Sequence, residues 1–162
     1  MIQRLSMRVA VLWLAAAAGS AQAPSPKPSP LAVGDVVPAF DAMGMDGTSH
    51  HVDFPKGSHT VVLFFLSSCP VCHRMLPVWS EVYQRKPKDL SVAAVMLDRA
   101  PPGFFAATPV AFPVLLSPGP ELHRAFKVQH VPMTIRVGPG GKVEDVGEGI
   151  IDPIRLGEIF RP

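Results

Sequence analysis

Leu63-Phe64-Phe65-Leu66-Ser67-Ser68-Cys69-Pro70-Val71-Cys72-His73 contains both cysteines of the 162-residue chain and the corner that decides its fold. Residues 61–66 form an apolar run without polar alternation, which predicts a strand covered on both faces. Two serines and Cys-Pro-Val-Cys follow, after which Arg74, Met75 and Leu76 begin a helical pattern. The two thiols are thus expected at a strand-to-helix corner. Cys69 falls near a helix N-cap, with Pro70 at the first helical position, where a missing N–H costs nothing and a fixed φ suits the helix. Backbone N–H groups and the positive end of the helix dipole then face the Cys69 sulfur and favour its thiolate, the nucleophilic form. Cys72 lies one turn further on, within reach of a mixed disulfide formed at Cys69.

Working outward, a helix is expected over 70–84, with Met75, Val78, Trp79, Val82 and Tyr83 as its apolar stripe and Pro77 interrupting and kinking it. Residues 91–97 are a second unalternating apolar run, so strand, helix and strand make a βαβ unit with parallel strands and a right-handed crossover. Beyond it the pattern predicts a loop and short helix over 101–108, a brief extended piece over 112–116 and a helix over 120–126. A strand over 133–137 should turn at Pro139-Gly140-Gly141 into an antiparallel partner over 142–146, before a capped helix over 152–160. Upstream, 34–40 reads as an irregular lead-in that buries Val36 and Phe40, and Asp46-Gly47 turns into a short strand over 49–54. This order implies an α/β sandwich around a mixed sheet.

The N-terminus reads as an export signal. Arg4 and Arg8 precede the apolar run 9–18, followed by Gly19, Ser20 and Ala21, and ten apolar residues are short for a bilayer span. Residues 1–23 are assigned to this signal, 24–30 to a proline-rich linker and 31–162 to the folded domain. No stable membrane span is expected once the signal is removed, although an uncleaved signal would leave a short, weak tether. Removal takes Arg4 and Arg8, leaving 13 of the 15 basic residues against 13 acidic ones. The basic balance is therefore no argument for nucleic acid, and no Lys/Arg stripe interleaved with aromatics supports one. An exported chain meets an oxidising compartment, but so short a loop between two cysteines makes a poor structural staple.

At this point the sequence resembles the thioredoxin superfamily, and more closely its exported TlpA/ResA branch, with a Cys-Pro-Val-Cys run similar to MauD-type proteins. The resemblance is carried by Gly34…Pro38-x-Phe40, Asp46-Gly47, Cys69-x-x-Cys72, Pro77, Phe126-x-Val128-x-x-Val131-Pro132-x-Thr134 and Gly140-Gly141-Lys142. It implies a thioredoxin-like three-layer sandwich, a central mixed β-sheet flanked by helices. It also implies a periplasmic thiol-disulfide oxidoreductase with Cys69 and Cys72 as the catalytic pair, needing no cofactor and no metal. Its partners would be protein thiols or disulfides of exported proteins, together with a separate redox partner. Val131 and Pro132 match the family's cis-proline loop, which offers backbone groups to a substrate chain; Pro70, Val71 and His73 are the positions expected to tune the potential. Thioredoxins proper carry a buried Asp where this chain has Leu63, and ResA-like proteins a Glu where it has Met75. Both proton acceptors are absent, and His73 is the residue placed to stabilise the Cys69 thiolate or relay a proton.

Three other readings share the same residues. Cys69-Pro70-Val71-Cys72-His73 satisfies C-x-x-C-H, the signature of c-type haem attachment. A peroxiredoxin-like peroxidase shares the fold, but its motif needs Pro and Thr at the positions of Val62 and Leu66. A metallochaperone or assembly factor could grip copper or a partner through the same two thiols.

Overall fold

Residues 61–65 are completely buried, and the strand they belong to, β3 (His59–Phe65), runs through the interior of the sheet. The computed structural model describes residues 29–161; the expected signal and all but the last two linker residues lie outside the described residues. The remaining strands are β1 (Phe40–Gly44), β2 (Ser49–Val52), β4 (Leu90–Met96), β5 (Val114–Leu116), β6 (Met133–Val137) and β7 (Val143–Glu148). Seven strands lie in the order β2-β1-β5-β4-β3-β6-β7. β3 pairs in parallel with β4 and antiparallel with β6, so the sheet is mixed, as expected.

Side chains alternate across a strand, and β3 therefore feeds two cores at once. Val61, Leu63 and Phe65 join Met75, Leu76 and Trp79 of α1 (Pro70–Arg85), together with Leu156 and Ile159 of the C-terminal helix (Pro153–Ile159). Val62 and Phe64 join Leu122 of the helix Pro120–Ala125 and the fully buried Phe126 on the opposite face. Phe126 meets Phe40 and Phe64 edge-on at 5.6 and 5.3 Å between ring centroids. The short helix Phe104–Ala107 adds Phe104 to the first core. Helices thus cover both faces, giving the three-layer α/β sandwich implied by the resemblance.

Two polar contacts lock the layers. Trp79 Nε1 donates to Thr134 Oγ1 at 3.1 Å, so the largest core side chain is also satisfied as a donor. Arg136, nearly buried on β6, donates to Glu144 and to the carbonyls of Ile159 and Arg161, which ties the C-terminal segment to the sheet.

Several expectations are corrected. Val36 is exposed and Val37 is buried, because Val37 N–H donates to Gly141 O and turns the next side chain of the extended lead-in inward. The close approach is possible because Gly141 has φ +81 and a Cβ there would lie 2.1 Å from Val37 O. A strand, β1, occupies 40–44 where no element was expected; it pairs with β2 and reaches β5. α1 continues unbroken past Pro77, which sits on its exposed side.

Candidate functional site

β3 ends at Phe65, and Ser67 and Ser68 carry the chain to Cys69, the N-cap of α1. Cys69 has extended backbone (φ −91, ψ 112), and Pro70 begins the helix behind it. The Cys69 sulfur accepts a hydrogen bond from Cys72 N–H at 3.2 Å. On its other side it lies 3.9 Å from Val131 O. The expected arrangement at the helix start is therefore present: the first-turn amide points at the first sulfur, where it stabilises negative charge.

The two thiols differ sharply. Cys69 is half-buried and Cys72 has no exposed surface. Burial is the main reason that the Cys72 thiol is pushed up from 9.0 to about 12, with the hydrogen bond to Cys69 second and the negative charge of Asp98 adding a little. Leu63 and Met75, the positions where the resemblance led to an expected carboxylate, are buried apolar side chains of the same core cluster as Cys72.

Val131 and Pro132 are joined by a cis peptide bond, and Pro132 is buried. Pro132 O accepts from Gly149 N–H at 2.8 Å, which fastens this loop to the end of β7. Cys69, Pro70, Val71, Cys72, Val131 and Pro132 thus meet at one end of the sheet. His73 is turned elsewhere. Its Nε2 donates to Ser67 O at 2.5 Å and its ring leans on Phe104 at 5.5 Å, so neither contact is to the sulfurs. A haem-type reading would need this imidazole as an axial ligand, whereas here it belongs to the corner itself.

Asp98 was missed by the sequence reading. It follows β4, whose register against β3 places Met96 opposite Phe65. Its Oδ1 accepts Ser67 N–H at 2.7 Å, and its Oδ2 accepts the Ser67 hydroxyl at 2.9 Å and Ser68 N–H at 3.2 Å. Burial alone would raise its carboxyl, but these hydrogen bonds together hold it below its ordinary value, ionised at neutral pH. The available signal was a polar residue just past the apolar run 91–97, on the strand expected beside the motif strand.

Four histidines away from the corner have side-chain partners of their own. His50 meets Thr48, His51 meets Asp41, His59 meets Glu144 and His123 meets Ser117. Among the described residues no three His, Cys, Asp or Glu side chains are grouped to hold a metal ion, and no helix is long and apolar enough to cross a membrane.

Residues 32–150 match the family model described as Redoxin. Over 154 residues the chain is 25% identical to thiol-disulfide oxidoreductase ResA of Geobacillus thermodenitrificans, covering 91% of this chain and 88% of that protein. The solved structure of MTB dsbF, in mixed oxidized and reduced forms, aligns with a TM-score of 0.65 at 28% identity, over 75% of this chain and 92% of that one. The thioredoxin domain of a thiol-disulfide oxidoreductase from Bacteroides vulgatus aligns with a TM-score of 0.69 at 22% identity, over 82% and 99%, a likeness of fold. The Redoxin match runs from the lead-in segment to the loop after β7, and the chain accordingly belongs to the Redoxin family, as a TlpA/ResA-like member of the thioredoxin superfamily.

Proposed function

We propose that the protein is an exported thiol-disulfide oxidoreductase that exchanges disulfides with partner proteins through Cys69 and Cys72. The observation that carries this reading is the inequality of the two sulfurs: one half-exposed and bonded to a helix-start amide, the other buried and held as a thiol. The ResA relative is itself named a thiol-disulfide oxidoreductase, which agrees. The Arg-flanked apolar run at 9–18 supports export, with 1–23 as signal, 24–30 as linker and 31–162 as the working domain.

Cys69 thiolate attacks one sulfur of a partner disulfide, forming a mixed disulfide and releasing the other partner sulfur as thiolate. Cys72 gives up its proton, which the released thiolate takes, and its own thiolate attacks the Cys69 sulfur. The Cys69–Cys72 disulfide forms as the second partner thiolate departs, so the partner gains two electrons and the dithiol loses two. Run backwards, the same steps oxidise a partner. Val131 and Pro132 line the partner strand beside Cys69, and Pro70, Val71 and His73 set the potential. The reduction potential against glutathione fixes the physiological direction, a value near that of thioredoxin marking a reductant.

The test is insulin reduction by the purified domain, combined with trapping in an extract of exported proteins. The Cys72→Ala variant should accumulate covalent partner adducts that dithiothreitol releases, and Cys69→Ala should form none. Tight copper retention without insulin turnover would make the protein a metal carrier instead.

A further inference from the structure

The peptide group between Ser67 and Ser68 is held at both ends. Its carbonyl oxygen accepts from His73 Nε2 at 2.5 Å, and its N–H, on Ser68, donates to Asp98 Oδ2 at 3.2 Å. The preceding N–H and the Ser67 hydroxyl also go to Asp98, at 2.7 and 2.9 Å. Ser67 is buried, while His73 stands exposed on α1 and Asp98 half-buried in the loop after β4. Two side chains on different elements therefore address opposite poles of one peptide.

A donor on the C=O and an acceptor on the N–H polarise a peptide in the same sense, so each bond strengthens the other. The ionised carboxylate adds the strength of a charge-assisted bond. Ser68 leads directly into Cys69, whose N–H binds Leu66 O at 3.3 Å and whose sulfur must stay 3.2 Å from the Cys72 amide. Loosening the peptide lets the sulfur leave the amide that stabilises its thiolate.

We propose that His73 and Asp98 are positioning residues acting as one unit, a clamp on the Ser67–Ser68 peptide that keeps the Cys69 sulfur on the Cys72 amide. The inference deepens the dithiol reading above and rests on it for its functional meaning. It gives His73 a role through the backbone rather than by contact with either sulfur. It also accounts for a carboxylate at this corner whose oxygens are already loaded with donors.

The experiment uses the Cys72→Ala background, where Cys69 is the only thiol, and follows iodoacetamide alkylation as a function of pH. Salt is kept at about 1 M, where through-space attraction between exposed charges is largely screened. His73→Leu should slow alkylation at neutral pH by about tenfold, roughly the worth of one hydrogen bond. His73→Gln keeps a donor and should stay within about twofold of the parent. Added to Asp98→Ala, which removes every acceptor oxygen, His73→Leu should have little further effect, because the clamp is already open. Equal His73→Leu effects with Asp98 intact and replaced would overturn the proposal, as would a His73→Gln variant as slow as His73→Leu. Ser67→Ala removes one of the three donors that hold Asp98 and should slow alkylation less than His73→Leu does; if it slows as much, a general loosening of the loop replaces the clamp. Alkylation needs no partner, and insulin turnover by the unmodified protein is read in parallel. Failure of the dithiol reading and failure of the clamp are thereby separate results.

Discussion

Two single-thiol variants measure the division of labour between the sulfurs directly. Cys72→Ala leaves Cys69 as the only thiol, and Cys69→Ala leaves Cys72. The Cys72 thiol is pushed from 9.0 to about 12. At neutral pH that shift leaves about a thousandfold less thiolate than an ordinary cysteine carries. Replacing Cys69 removes the hydrogen bond and the charge contributed by its sulfur but not the burial, which is the largest cause. Part of the thousandfold deficit therefore survives, and the lack of any exposed sulfur surface adds to it. Iodoacetamide consumption at neutral pH, followed by intact mass, should run at least about a hundredfold faster for Cys69 in Cys72→Ala than for Cys72 in Cys69→Ala. Equal rates, or a faster Cys72, would refute the assignment of Cys69 as attacker and Cys72 as resolver.

The same shift reaches stability. The folded state keeps a Cys72 proton that the unfolded state sheds above about pH 9, so the reduced protein should lose stability as pH rises from about 9 through about 12. Guanidinium unfolding should show that slope diminished in Cys72→Ala. Thr134→Val leaves the buried Trp79 N–H without its acceptor and should cost about 1–3 kcal/mol of unfolding free energy, read by Trp fluorescence. Gly141→Ala forces a Cβ to within 2.1 Å of the Val37 carbonyl at φ +81, and a clear drop in Tm should follow.

The corner itself was legible because its signals are local. An unalternating apolar run, two small polar residues and Cys-Pro place a strand end, an N-cap and a first turn with little help from distant chain. Trp79 was expected in the core and is fully buried there. β1 was hidden because Phe40-Asp41-Ala42-Met43-Gly44 is short and ends in glycine; its stability comes from pairing with β2 and β5, which no local pattern announces. Val36 and Val37 carry the same side chain, and the bond from Val37 N–H to Gly141 O marks which of them faces inward. Asp98 lies 30 or 31 residues from the serines it holds, so its role follows from strand register rather than from any motif. His73 was singled out by adjacency to Cys72, yet its ring turns to Ser67 O, a direction set by side-chain geometry that spacing does not encode.

The place of β6 beside β3 carries a consequence for how the chain becomes reactive. The contact of Cys69 with Val131 spans 62 residues and the Trp79–Thr134 bond spans 55. Non-local contacts of this kind form late, after the loop-closure entropy has been met. A nascent chain that has not yet docked its last third lacks both contacts. In such a chain two neighbouring thiols close to their ordinary acidity are open to any passing oxidant. A rising disparity between their alkylation rates would serve as a clock for completion of the fold, read at the sulfurs themselves.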